Sequence, residues 1–371
     1  MKRYLKFAAI GIALVGLLAM SGMYGATRYY AAQHGQACAD CHEMADYVSA
    51  AHGSPHRNVG CTDCHEVSMA TKLRHVRVHL TRNWPESIRL RDTDVVEMVP
   101  NCQKCHQREY ATWHAGPHSA TYSQIFADPV HNSKRHLMED CFRCHGMHFN
   151  GSVRDMVQPQ DTKGPWHIIR SGFADQPAIP CQACHQVHRE GPETTKPAVR
   201  ISVAGPAVDE SLAFYDRRES MHFAATSLPI PQLHDGARAV KMSQDARQAL
   251  CYQCHAPRVP DTGTVAAANR WGMQVASGDD RTPMGVHEGL SCVSCHNGHN
   301  ENTTASCKTC HPQMSNCGLD VEKMDTTYTN AASTHNIHWV KCADCHQHGV
   351  PQMKKAATVK AELLTVPGRV G

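Results

Sequence analysis

Large apolar side chains are scarce in this 371-residue chain, since Phe, Trp and Tyr together make up 6% and all hydrophobic residues 41%. A chain of this length usually forms more than one domain, each with its own apolar core. So few aromatic residues exclude an extensive conventional core. We therefore expect something other than side-chain burial to organise the chain.

An even number of cysteines is also lacking. The chain has 19 cysteines, and this odd number excludes a fully paired disulfide scaffold. All except Cys317 belong to nine copies of C-x-x-C-H, which we number motifs 1 to 9 along the chain. In order, they comprise Cys38, Cys41 and His42; Cys61, Cys64 and His65; Cys102, Cys105 and His106; Cys141, Cys144 and His145; Cys181, Cys184 and His185; Cys251, Cys254 and His255; Cys292, Cys295 and His296; Cys307, Cys310 and His311; and Cys342, Cys345 and His346.

The motif C-x-x-C-H is the attachment signature of c-type haem. Its two thiols add to the vinyl groups of the porphyrin, and its histidine becomes the proximal ligand of the iron. A zinc site instead needs paired C-x-x-C units that close one tetrahedron, which does not explain why a histidine follows the second cysteine in every copy. The sequence therefore predicts nine covalently attached haem c groups, with the cysteines as attachment points and the motif histidines as iron ligands.

So dense a set of porphyrins would itself supply the interior of the protein. We expect a mainly α-helical fold with much irregular coil, organised around the haems, with one N-terminal transmembrane helix. One further helix is predicted over residues 72–84, and the longest helical stretch over residues 209–250. The Gly-Pro pairs at 191–192 and 205–206 indicate a linker between two groups of haems.

Motif spacing divides the chain into six parts. We expect an N-terminal anchor at residues 1–30, a two-haem region at 31–100, haems 3 to 5 at 101–200, a linker and helical segment at 201–245, haems 6 to 9 at 246–350, and a tail at 351–371.

The N-terminus carries a candidate membrane anchor. Lys2, Arg3 and Lys6 precede an uncharged stretch over residues 7–27, which is long enough to cross a bilayer. The excess of positive charge before it predicts that the N-terminus lies inside and the haems lie in the periplasm or outside the cell. A cleaved signal peptide is the alternative, with Ala19-Met20-Ser21 as its cleavage site. We favour a retained anchor in the inner membrane.

The formal net charge of +3 does not indicate binding to nucleic acid. Two propionates on each haem, together with about one positive charge on each ferric centre, would shift the total to about −6 in the oxidised protein. We expect no nucleic acid partner. The expected partners are membrane lipid, membrane quinol or an integral-membrane electron-transfer subunit, and periplasmic redox proteins.

Histidines outside the motifs outnumber the sixth coordination positions of nine irons by about two to one. Several recur at fixed intervals, four or five residues before a motif or three residues after a motif histidine. The candidate sixth ligands are Met44, His52, His56, His79, His118, His136, His148, His188, His222, His287, His299, His335 and His338. A histidine three residues after its own motif histidine cannot reach the opposite face of the same iron, so we expect it to bind a neighbouring haem. For Met44, packing against the porphyrin is the open alternative to ligation.

The first 80 residues resemble the start of membrane-anchored quinol dehydrogenases of the NapC/NirT type. The resemblance rests on the apolar N-terminus, on C-x-x-C-H-x-M from Cys38 to Met44, on Ser54-Pro55-His56, and on the second motif beginning at Cys61. It implies oxidation of membrane quinol near haem 1, Met44 as a ligand or close contact of haem 1, and His56 as the ligand of a later haem. Lys72, Arg74 and Arg77 are candidates for the residue that attends the quinol. That family has four or five haems, and the rest of this chain resembles a generic multihaem electron conduit.

Three functions remain open from the sequence. The first is electron transfer along a chain of haems with two axial ligands each, which leaves no open site and no catalytic residue. The second is an enzyme that converts a small nitrogen or sulfur compound at one open haem. The third is a haem filament subunit, against which a retained anchor argues.

Overall fold

The fold is taken from a computed structural model of the chain. It describes residues 2–32, 36–40, 44–65, 90–134, 136–160, 163–188, 211–230, 232–235, 237–255 and 282–299, together with positions 74, 77, 78, 81, 82 and 338. Motifs 8 and 9 lie outside the described residues, as do Cys41, His42, His79, His335, Cys317 and the tail at 351–371.

Helix α1, Lys2–Ala32, begins the chain. Its 31 residues correspond to a length of about 46 Å, more than the hydrocarbon thickness of a bilayer. Its apolar side chains point outward all round the helix, and Leu18, for example, is 70% exposed. By length and composition this helix can cross a membrane, a property that N-terminal signal sequences share.

Helix is the predominant regular structure of the described residues, and the helices after α1 are short. They are α2 Ala45–His52, α3 Cys61–Cys64, α4 Asp92–Glu97, α5 Val99–Gln103, α6 Gln107–His114, α7 Tyr122–Phe126, α8 Pro129–Asn132, α9 Phe142–His145, α10 Val153–Met156 and α11 Ala246–Cys251. Single 3₁₀ turns lie at Gln36–Asp40, Pro117–Ser119, Glu139–Cys141, Ser171–Phe173, Cys181–Ala183, Ala225–Ser227, Gly285–His287 and Cys292–Ser294.

The helix predicted over residues 72–84 has helical backbone at Arg74, Arg77, Val78 and Thr81. The Thr81 hydroxyl donates to the Arg77 carbonyl at 2.9 Å, a bond to the preceding helical turn.

The prediction of a long helix is wrong for the described part of 209–250. Strands β3 Ala213–Asp216 and β4 Met221–Ala224 form an antiparallel hairpin there, and only α11 at the end of the segment is an α-helix. The Asp216 carboxylate accepts the Arg218 amide at 3.0 Å, which starts the turn. Ser220 takes a positive φ of 53° within it.

Two further antiparallel pairs are very short. Strand β1 Val157–Gln158 pairs with β2 His167–Ile168, and β5 His234–Asp235 pairs with β6 Arg238–Ala239.

Side-chain burial contributes more than the composition suggests, since two apolar clusters form among the described residues. A first cluster gathers aromatic residues around motif 4, with Tyr122, Phe142 and Trp166 almost fully buried. A second cluster packs the hairpin residues Phe214 and Phe223 beside motifs 5 and 6. The aromatic residues of these two clusters pack against the loops that carry motifs 4, 5 and 6.

Candidate cofactor sites

Five of the described motifs fold into the same helical turn. In motifs 2, 3, 5, 6 and 7 the histidine amide donates to the carbonyl of the first cysteine, at 2.8 to 3.0 Å. This bond spans four residues, as in an α-helix. Residues at positions i, i+3 and i+4 share one face of a helix, so the turn directs both thiols and the imidazole to the same side. That arrangement suits attachment of one planar group.

The cysteines of different motifs also come close together. No disulfide joins the described cysteines. The thiols of three pairs, Cys102 with Cys181, Cys144 with Cys254, and Cys251 with Cys292, lie close enough to influence each other's pKa. These contacts bring motif 3 beside motif 5, and motif 6 beside motifs 4 and 7. In addition, the side-chain amide of Asn101 donates to the Cys64 carbonyl at 2.9 Å. This bond connects motif 3 to motif 2.

Among the described residues, five facing pairs each place a motif histidine opposite a second histidine. The ring centres are 6.0 Å apart for His56 and His106, 6.2 Å for His65 and His188, 6.2 Å for His118 and His255, 6.2 Å for His185 and His299, and 6.1 Å for His296 and His338. The second member of every pair belongs to the set of candidate sixth ligands named from the sequence.

The separation in the facing pairs fits one metal ion held between two imidazoles. A metal-to-nitrogen distance of about 2 Å on each side, plus about 1.2 Å from each nitrogen to its ring centre, gives centres about 6 Å apart. Among the described residues no group of three or more His, Cys, Asp and Glu side chains is placed to hold a metal ion. A haem iron needs only two protein ligands, because the porphyrin supplies the other four nitrogens.

Each facing pair joins distant parts of the chain. His188 follows the histidine of its own motif, His185, by three residues, yet it faces His65 of motif 2. His299 stands in the same position after motif 7 and faces His185 of motif 5. In both cases the second histidine lies opposite another motif.

Strand β3 helps to position motif 5. The Gln186 amide donates to the Ser211 carbonyl at 2.7 Å, and the Ala213 amide donates to the Cys184 carbonyl at 2.9 Å. The Ser211 hydroxyl lies 3.3 Å from Nδ1 of His185. When Nδ1 is held in this way, Nε2 is the nitrogen left for a metal ion. Ser211 is not predictable from the sequence, because no motif relates it to residue 185.

Burial favours the neutral form of two imidazoles in the facing pairs. It lowers the pKa of His65. It also lowers the pKa of His118, with smaller contributions from the nearby His255 and His299. A neutral imidazole is the form that binds a metal ion.

His148 and His222 lie together around Tyr215 instead of forming part of the facing pairs. The rings of His148 and Tyr215 stack with centres 4.0 Å apart, and Tyr215 is the cross-strand partner of His222. Nε2 of His222 lies 2.7 Å from the Gln182 carbonyl oxygen. Burial lowers the pKa of His148 to about 3.

The other candidate ligands are distributed over the surface and the turns. His52 ends α2 and is exposed, as is His136. His287 is half-buried in the turn Gly285–His287. Met44 is the N-cap residue of α2 and is half-buried. In the sequence it follows His42, which lies outside the described residues, by two positions.

The site residues therefore comprise repeated thiol–thiol–imidazole turns whose imidazoles face second imidazoles at the distance one metal ion requires. Comparison of the chain with family models, with characterised proteins and with solved structures finds no match.

Proposed function

We propose that the protein is a membrane-anchored c-type cytochrome with nine haem c groups that transfers electrons. The five facing pairs carry this proposal. Each pair includes the histidine of a C-x-x-C-H turn, which is where the proximal ligand of an attached haem is required. The spacing of the pairs was not used to identify the motifs, so it is independent support.

At the five paired motifs, two imidazoles for one iron favour electron transfer over conversion of a substrate. With both axial positions taken by strong ligands, no coordination position remains for a small molecule. The haem supplies a one-electron couple, and the chain supplies its attachment, ligands and surroundings. Contacts between the turns of motifs 2 and 3, 3 and 5, and 6 and 7 place the groups near one another, as a conduit needs.

The arrangement of the N-terminus favours a donor in the membrane. Helix α1 contacts the turn Gln36–Asp40, which contains Cys38 of motif 1, and α3, which belongs to motif 2. The first two motifs therefore lie beside the candidate anchor. We propose quinol, or an integral-membrane partner, as the donor at this end, in keeping with the resemblance to quinol dehydrogenases. Periplasmic or extracellular redox proteins are the proposed acceptors.

A test of this function uses the full chain in membranes and follows haem absorbance after addition of a quinol analogue. We expect the haems to become reduced. In a variant whose residues 1–30 are replaced by a cleavable export signal, we expect the haems to remain attached but quinol-dependent reduction to fall at least tenfold. Dithionite should reduce both proteins fully, which controls for haem content.

Equal reduction of the two proteins by the quinol analogue would contradict the proposed donor. A large high-spin ferric signal that changes with nitrite, hydroxylamine or sulfite would contradict a pure conduit, because it would show an open haem.

A further inference from the structure

We infer that the facing pairs assign the sixth ligands of five haems and divide these haems into two electronic classes. The sixth ligands are His188 for motif 2, His56 for motif 3, His299 for motif 5, His118 for motif 6 and His338 for motif 7. The inference rests on the proposed function, since it concerns haems attached at these motifs. It adds which histidine serves which iron and how the two rings are oriented.

The angle between the two ring planes distinguishes the pairs. The planes are nearly parallel in two pairs, at 9° for motif 5 and 4° for motif 7. They are crossed in the other three, at 44° for motif 2, 70° for motif 3 and 49° for motif 6. No pair has an angle between 9° and 44°, so the five fall into a parallel class and a crossed class.

The ring orientation acts on the iron through π bonding. The π orbitals of an imidazole are perpendicular to its ring, so each ring interacts mainly with one of the two iron d orbitals that contain the haem normal. Parallel rings act on the same orbital and split the two widely in energy. Crossed rings act on both and leave them close together. Axial ligands are a principal means by which a protein tunes a haem.

Local hydrogen bonds position three histidines of the parallel class. His185 has its Nδ1 next to the Ser211 hydroxyl. The amide of His299 donates to the Asn297 side chain at 2.9 Å. The carbonyl of His338 accepts the Met284 amide at 2.6 Å, which fixes this histidine beside the segment that leads into motif 7.

Different contacts position two histidines of the crossed class, His56 and His188. The amide of His56 donates to the Ser54 hydroxyl at 3.1 Å. The ring of Tyr47 meets that of His188 edge-on, with centres 6.4 Å apart. These contacts fix the backbone of His56 and place the Tyr47 ring against the ring of His188.

Electron paramagnetic resonance of the oxidised full-length protein tests the assignment. Parallel rings give a ferric low-spin spectrum with three well-separated g values, whereas crossed rings give one dominant, larger g value. We expect both kinds of signal. In His338→Ala we expect the loss of one component of the first kind, and in His56→Ala, whose pair is the most strongly crossed at 70°, the loss of one component of the second kind. Each variant should gain one high-spin haem.

His234→Ala is the matched control, because His234 is an exposed strand residue outside the facing pairs. Its spectrum should equal that of the unchanged protein. Added imidazole should restore the low-spin state in both ligand variants, and the haem content of every variant, measured by absorbance in alkaline pyridine, should stay the same. His338→Met keeps a ligand of similar reach, and we expect it to remain low-spin.

The possible failures can be told apart. Loss of the same component in both ligand variants, or spectra without change, would overturn the assignment. Low-spin haems of a single kind would overturn the division into two classes while leaving the proposed function intact. A protein without haem would overturn the proposed function itself.

Discussion

His185 and His299 face each other with ring centres 6.2 Å apart and planes 9° from parallel. One belongs to motif 5 and the other follows motif 7, so a single iron between them would connect two distant parts of the chain. The other four facing pairs repeat this relationship. In the account proposed here, the haems therefore act as cross-links between units of the fold as well as electron carriers.

The hydroxyl of Ser211 should tune the haem of motif 5. A hydrogen bond from Nδ1 of His185 to this hydroxyl increases the basicity of the imidazole. In Ser211→Ala the imidazole becomes a weaker donor and stabilises the ferric state less. We expect one haem to show a higher midpoint potential in a potentiometric titration, with the haem content unchanged.

Ser211→Thr is the control, because it keeps the hydroxyl. Its titration should overlay that of the unchanged protein. Identical potentials in the Ala and Thr variants would show that the hydroxyl does not act on His185.

Gly146 follows motif 4 and allows the close approach of the Phe142 ring. A Cβ at residue 146 would collide with that ring, which is fully buried between Phe126 and Phe149. We expect Gly146→Ala to lower the free energy of unfolding by about 1–3 kcal/mol, as overpacking does. Denaturant unfolding followed by tryptophan fluorescence and haem absorbance measures the change.

Gly172→Ala is the matched control, since nothing lies within 4 Å of a Cβ at that position. It should be nearly neutral. A loss of stability as large as that of Gly146→Ala would indicate an effect of backbone freedom instead of the contact with Phe142.

Asp245 caps α11, the helix that ends at Cys251 of motif 6. Its carboxylate accepts the Arg247 amide at 2.9 Å and lies 2.7 Å from the Arg247 guanidinium. Burial acts to raise the pKa of Asp245, but hydrogen bonds from Arg247 outweigh it and hold the pKa below its ordinary value. We expect Asp245→Ala to cost about 1 kcal/mol of stability at pH 7.

The loss of stability caused by replacing Asp245 should depend on pH. Because the folded state lowers the pKa of Asp245, its ionised form contributes stability above the ordinary carboxyl pKa, and this contribution is lost as the pH falls through the lowered value. The difference between the unchanged protein and Asp245→Asn should therefore shrink below about pH 4. A constant difference from pH 7 to pH 3 would contradict this role of the charge.

The sequence predicts much of each individual site but little of how the sites meet. Spacing alone identifies the motifs, and steric reasoning shows that His188 cannot bind the iron of its own motif. The facing of His188 and His65 depends on how the chain folds back over more than a hundred residues, which no local pattern reveals.

The hairpin of β3 and β4 was missed for a different reason. The length of the segment 209–250 favours one long helix, although residues 213–216 and 221–224 form strands. The turn signal at Asp216, whose side chain accepts the Arg218 amide, is local and was available in the sequence. The pairing of Tyr215 with His222 then brings two predicted ligands to one cluster, a result of strand register that composition cannot show.

We propose that all nine motifs carry haem. Mass spectrometry of the intact protein, after denaturation and alkylation of thiols, measures this number. We expect a mass increase of nine haem groups and alkylation of one cysteine, Cys317. Motif cysteines that are alkylated, or joined as disulfides such as Cys102 to Cys181, in a chain without bound haem would contradict it.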